Sequence, residues 1–490
     1  MALYHRNNLL QSFVLTAAVA EGEDRPWRTE AQVEVRLTFS STARFGNLDQ
    51  LGKRLFSVAM NQDAQGGTHT LMFKKDNVSQ PVYVTEDAVN RIMTEFRDLL
   101  ENASAVKKSG SGSLAPRFPL DPAIGTKRPG EFEGCLRELA RLGGEIWRKL
   151  FQDADPKTRR ALAAVLKASD QPIQFIRHGR NLPFPWQIVY DYPLPEGNAF
   201  VNAKVCLALS RANQEMSTLA RGCPHFPGED VICIEGFWGV RHRIEQLTDK
   251  LRLNAGAAAR QPAAVPSQED LRTKIRLPQG NPLVCLGVGL ENDLAAQALA
   301  TRLGKQLGTG LRLLGHTDDL LTDVLWKDNL RPALLVVLGH LEPADRQRNQ
   351  PARILPVVLP AGYSVDRALS DTKIINAACA LAEWTSEPRP LVLLMACGSA
   401  KTALADLTTF IDTFLGIGAA GIIGTENTVF SDLAAHFAEE VVLGLSRPGT
   451  TLGAAVRSFT AGLLRRGNPL PFSFSVFGSA DLRIERMDNP

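Results

Sequence analysis

Two stretches decide how this chain folds: Ala333-Leu334-Leu335-Val336-Val337-Leu338-Gly339-His340 and Leu391-Val392-Leu393-Leu394-Met395-Ala396-Cys397-Gly398. Each opens with six apolar residues in succession. That is too short for a helix and has no polar alternation, so it reads as a strand buried on both faces. Similar runs recur at Val231–Ile234, Leu283–Val288, Leu311–Leu314, Ala419–Ile423 and Phe472–Val476, with helical stretches between them. Continuous apolar strands separated by helices predict an α/β fold: a doubly wound, mostly parallel sheet covered on both sides. No repeat with a period of 20 to 50 residues is present, which excludes a solenoid.

Upstream the pattern differs. Val33–Leu37 alternates with period two, Thr70–Phe73 and Pro81–Val84 are short strand candidates, and Glu86–Leu100 carries Val89, Ile92, Met93 and Phe96 on one helical face. These predict a small N-terminal α+β domain over 1–105, of unassigned role. Residues 106–130 hold Lys107-Lys108-Ser109-Gly110-Ser111-Gly112-Ser113 and then six residues of Pro or Gly, a linker composition. The α/β domain then occupies 131–490, entered through an amphipathic helix from Cys135 to Lys167.

The 490 residues carry 55 Lys and Arg against 52 Asp and Glu, a balance that gives no electrostatic footprint for direct nucleic-acid binding. Seven cysteines lie scattered without a C-x-x-C pair, which excludes a disulfide framework and a zinc ribbon. Cys223-Pro224-His225 has no second ligand pair, so no metal is expected. No apolar run reaches the roughly 20 residues that span a bilayer. Leu9–Ala20 imitates a secretory signal, but Gln11, Ser12 and Thr16 interrupt it, and a reducing, cytoplasmic setting is expected.

Ligands of open α/β sheets bind beyond the carboxyl ends of the strands. The two deciding strands deliver His340 and Cys397 to one rim, about 4.8 Å apart if the strands are neighbours. Gly398 permits close approach of a substrate backbone. Ser399 can cap a helix from about Ala400 to Phe414, whose N-terminus would stabilise a thiolate. His340 would then protonate a leaving amine. Alone, each residue is more readily a buried thiol or a loop histidine; their joint placement favours chemistry.

Competing motifs fail on context. Gly416-Ile417-Gly418-Ala419-Ala420-Gly421 spells G-x-G-x-x-G, yet follows a helix and enters a strand, the reverse of a dinucleotide loop; Gly416 reads as a helix cap. Gly398-Ser399-Ala400-Lys401-Thr402 lacks the glycine a P-loop needs before its lysine. His178, His316 and His436 have no cysteine counterpart in the strand pattern and read as structural.

Leu182-Pro183-Phe184-Pro185-Trp186, Gly236-Phe237-Trp238-Gly239, Leu394–Ser399 and the C-terminal run from Gly418–Thr425 through Phe477–Leu482 together resemble the CHAT domains, caspase-like cysteine peptidases of bacteria. The resemblance covers about Cys135 to Ile484. It implies a caspase-like sheet, a His340/Cys397 dyad, and an oxyanion hole from the backbone N–H groups after His340, at Leu341, and at Cys397. It also implies a role in bacterial defence, with a CRISPR-associated or gasdermin-like protein among associates. Leu341 stands where relatives place glycine, and Gln187 where they often have Glu. No tetratricopeptide repeats precede the domain.

The expectation is an intracellular cysteine endopeptidase, without cofactor, that cleaves a protein partner once an activating protein or small messenger rearranges its loops. The long stretch Leu341–Asp371, with four prolines, is expected to border the cleft. Met395, two residues before Cys397, would offer an apolar wall to the residue preceding the cut. Glu426 and Asp432 are the carboxylates that could instead select a basic residue. Two rivals stand: a catalytically inactive caspase-like scaffold, and a sensor whose N-terminal domain binds a messenger.

Overall fold

The computed structural model describes residues 2–17, 33–40, 51–62, 67–76, 78–107, 114–118, 129–151, 171–177, 184–206, 231–248, 273–287, 293–314, 330–342, 353–355, 369–370, 389–398 and 413–487, with a few isolated positions between them. Most of the described strands join one sheet. In chain order they are β1 (Ser57–Gln62), β2 (Thr68–Lys75), β3 (Val78–Thr85), β4 (Pro172–Arg177), β5 (Arg243–Thr248), β6 (Val284–Gly287), β7 (Leu311–Leu313), β8 (Leu334–Glu342), β9 (Arg353–Leu355), β10 (Leu391–Gly398), β11 (Gly421–Thr425) and β12 (Phe474–Gly478). Across the sheet they run β7-β6-β8-β10-β11-β12-β5-β4-β1-β2-β3, β9 lies against the end of β8, and a thirteenth strand of two residues, Leu369–Ser370, pairs with β9.

The five strands β7 to β11 of that order are parallel, as their unbroken apolar sequences require. β12 runs against both of its neighbours, and β5, β4 and β1 are again mutually parallel. Leu334, Val336, Leu338, Leu391, Leu393 and Met395 pack into the core on one face. Leu335, Val337, Val392, Leu394 and Ala396 pack into the core on the other. This is the mixed, mostly parallel α/β sheet, covered on both faces, that the sequence predicts.

The winding reverses beside β8. From β6, helix Leu294–Leu307 carries the chain to β7 on one side, and the return places β8 on the other side of β6. That helix packs on the first face through Leu299 and Leu303, whereas Val324, between β7 and β8, packs on the second. Crossovers in opposite directions over opposite faces keep one hand, and they open a crevice at the carboxyl ends of β6 and β8.

The two regions that the sequence separates at 106–130 share this sheet and its core. β1 pairs in parallel with β4, and β2 and β3 extend the sheet antiparallel. The long helix α1 (Glu86–Ser104), capped by the Thr85 hydroxyl on the Ala88 N–H, buries Val89, Ile92, Met93, Phe96 and Leu100 in the same core. The amphipathic helix predicted from Cys135 spans Pro129–Phe151; its continuation to Lys167 lies outside the described residues.

One stretch gains a structure and two readings change. Residues Asn8–Ala17, which imitate a signal, form a strand paired with Val33–Ser40. The Val231–Ile234 run supplies a strand, Val231–Cys233, but it pairs with Lys204–Cys206 outside the sheet. The helix before β11 has Gly416 as its last residue, and the left-handed capping glycine is Gly418. There Ala419 N–H bonds Phe414 O at 3.0 Å, Gly418 N–H bonds Leu415 O at 3.2 Å, and φ is +111°. That is a Schellman end, which requires the left-handed residue two positions later.

Candidate active site

His340 and Cys397 are register partners across the parallel β8/β10 ladder, and Leu341 pairs with Gly398 one step further. Both positions continue the same rows: Leu334, Val336, Leu338 then 340, and Leu391, Leu393, Met395 then 397. The rows leave the core at the rim, where His340 is exposed. Buried flanking strands thus place a histidine and a cysteine at one level, beside the crevice where the winding reverses. The helix expected from Ala400 lies outside the described residues until 410, as do Ser399 and most of 343–388.

β9 caps this end of the sheet. It runs antiparallel to β8, matching His340 with Leu355 and Leu341 with Ile354. Leu341 therefore sits in register between Gly398 and Ile354. A hydrogen-bonding role for its N–H needs a ladder position left open toward the cleft.

The expected substrate-facing residues are placed differently from one another. Met395 is 1% exposed and packed in the core. Glu426, just past β11, has a side chain 1% exposed, with Oε2 at 3.1 Å from Arg97 of α1 and Oε1 accepting from the Ser475 hydroxyl. Asp432 is exposed in the first turn of helix Ser431–Ser446 and lines a cavity of about 580 Å³ with Phe118, Phe430, Leu433 and His436. Gly398 ends β10.

Arg97 was not legible as part of this rim, and neither was Glu101, whose Oε2 accepts from the Thr428 N–H at 3.1 Å. Their spacing of four on α1 was the available signal, since it puts both on one side of the helix. Thr425 completes the set: its hydroxyl donates to the Ala396 carbonyl at 2.9 Å, directly before Cys397.

Among the described residues, His436, Cys135 and Cys285 behave as packing. His436 is held below the ordinary histidine pKa chiefly by burial, lies tilted against the Phe459 ring, and stands 3.4 Å from Arg466. Burial pushes the Cys135 and Cys285 thiols up to about 12. His178, His316 and the Cys223/His225 pair lie outside the described residues. Among the described residues no group of three or more His, Cys, Asp or Glu could hold a metal, and no helix is long and apolar enough to cross a membrane. The tryptophans of the Pro185-Trp186 and Phe237-Trp238 pairs are wholly buried, Trp186 stacked on Phe175 at 3.8 Å.

No protein-family model matches the chain. A curated protein of Vitiosangium sp. (strain GDMCC 1.1324), named a probable protease, is 25% identical over 502 aligned positions, which take in 98% of this chain. The chain spans 61% of that relative's length. Among solved structures, separase in the Saccharomyces cerevisiae separase–securin complex superposes over 88% of this chain and 30% of its own, at 12% identity and a TM-score of 0.42. The Arg-specific cysteine proteinase gingipain R superposes over 73% of this chain and 76% of its own, at 12% identity and a TM-score of 0.33.

Proposed function

We propose that the chain is a cysteine endopeptidase of the CHAT type, on a caspase-like sheet, that cleaves a protein partner in bacterial defence when an activating protein or small messenger engages it. The observation that carries this is the register pairing of His340 with Cys397 at the carboxyl rim. A relative named a probable protease, aligned over nearly the whole chain, supports it.

In this reading the Cys397 thiolate attacks the scissile carbonyl carbon, and the carbonyl electron pair moves onto oxygen. Residues at one level of neighbouring parallel strands share a face, so His340 stands where a proton can pass to the leaving amine as the C–N bond breaks. Water then attacks the thioester, giving up its proton through His340 and restoring the thiol. N–H groups at Cys397 and Leu341 would hold the oxyanion. The protein acts in the cytoplasm, and a gasdermin-like or CRISPR-associated protein is the class of associate the family resemblance offers.

The test is covalent labelling with a thiol-reactive peptide probe, followed by peptide mapping. The expected label sits on Cys397, disappears in Cys397→Ala and falls at least a hundredfold in rate in His340→Ala, since residues acting as a unit fail together. Full labelling or cleavage by either variant would refute the dyad and leave the scaffold reading.

A further inference from the structure

We propose that α1, from the N-terminal region, is a brace that positions Cys397, with Arg97, Glu101 and Glu426 as positioning residues. This rests on the reading of Cys397 as the nucleophile. The contacts form a continuous path. Arg97 grips the Glu426 carboxylate at 3.1 Å, and Glu101 accepts the Thr428 N–H at 3.1 Å. Immediately before them, Thr425 donates its hydroxyl to the carbonyl of Ala396, the residue before Cys397, at 2.9 Å. A single helix thereby holds Glu426 and Thr428, and the adjoining Thr425 holds the strand end that bears the cysteine.

The far side of Glu426 is anchored as well. Its N–H donates to Ser473 O at 2.8 Å, and the Ser475 hydroxyl donates to its second carboxylate oxygen. Gln187 donates to Ser475 Oγ at 3.4 Å and to Phe472 O at 3.1 Å, which fixes that hydroxyl from behind. With both oxygens engaged and the side chain 1% exposed, Glu426 is committed to the protein rather than to a substrate. A buried ion pair adds little stability over an apolar pair of the same shape, but it specifies one geometry. Such specification matters most where a misplacement of about 1 Å costs roughly a hundredfold in rate.

The experiment uses the full chain and two readouts: hydrogen exchange of the 391–398 strand, and the peptide probe's inactivation kinetics at Cys397. In Arg97→Ala and in Glu101→Ala, exchange across 391–398 rises. The maximal labelling rate falls about ten- to a hundredfold, while the probe's half-saturating concentration stays within about twofold. Arg97→Lys, which keeps the charge, restores most of the rate. Unchanged exchange in both alanine variants overturns the brace whatever the labelling does. Raised exchange in a protein whose wild type takes no label at Cys397 overturns the peptidase reading instead, and with it the positioning role.

Discussion

Gly339 of β8 lies directly beneath Ile354 of β9: a Cβ on the glycine would stand 2.5 Å from Ile354 Cγ2 and 2.7 Å from the Leu355 carbonyl oxygen. Neither distance is tolerable, and the oxygen belongs to backbone that cannot swing aside. The absence of a side chain one residue before His340 is what lets β9 close over the rim of the sheet.

Gly339→Ala should therefore dislodge β9 while leaving the buried ladder from Leu334 to Leu338 intact. A cost of about 1–3 kcal/mol is expected for the overpacking. Thermal unfolding measures it, and hydrogen exchange confined to 340–342 and 353–355 would locate it. An alanine variant with wild-type stability and exchange would show that β9 adjusts freely.

The sheet's centre was readable because its strands are buried on both faces and so carry no polar residue until the rim. That same plainness made the Val231–Ile234 run ambiguous, since an apolar tetrad says nothing about which partner it takes. β5 was invisible for the opposite reason: Arg-Ile-Glu-Gln-Leu-Thr has the polarity of a surface loop, yet Glu245 and Gln246 are buried. Its acid is satisfied by Arg54, 191 positions away. Glu426 repeats the lesson at the rim, where Arg97 neutralises it across 329 positions. Local sequence exposes the titratable residue and conceals its partner.

Arg54 tests how far the N-terminal region and the sheet form one core. Its guanidinium makes a two-pronged contact with Glu245, 2.8 Å on each side, and also meets Asp481; its own side chain is 1% exposed. Arg54→Ala would strand a fully buried carboxylate, at about 3–5 kcal/mol. Replacing Arg54 and Glu245 together by Met should recover much of that loss, because no charge is then left unpaired. Denaturant unfolding of the single and double variants checks both.

Acid sensitivity should set in near neutrality. His242 is held well below the ordinary histidine pKa, first by burial and then by the charges of Arg241 and Arg457. Burial lowers His69 and His436 as well. An unfolded chain takes up these protons below about pH 6.5, whereas the folded one refuses them. Stability should be level for these groups above that value and fall as the pH drops through it. Melting temperatures from pH 8 to 5 measure the slope, which His242→Gln should reduce; an unchanged slope would assign it to other groups.

Substrate preference turns on which carboxylates remain available at the rim. Selecting a basic residue before the cut needs an acid that can pair with it, because an unpaired buried cation is costly. Glu426 is already neutralised by Arg97 and capped by Ser475. Met395 carries no charge and is buried beside the strand end. Asp432 alone of the three is exposed, on the first turn of its helix. Cleavage is therefore expected after an uncharged, apolar or small residue, with Asp432→Asn leaving the preference unchanged. Mass-spectrometric mapping of cut sites decides the matter. Consistent cutting after Arg or Lys that is lost in Asp432→Asn would make Asp432 the specificity residue. Basic cutting that survives that change and is lost in Glu426→Gln would mean that Arg97 releases Glu426 when substrate binds.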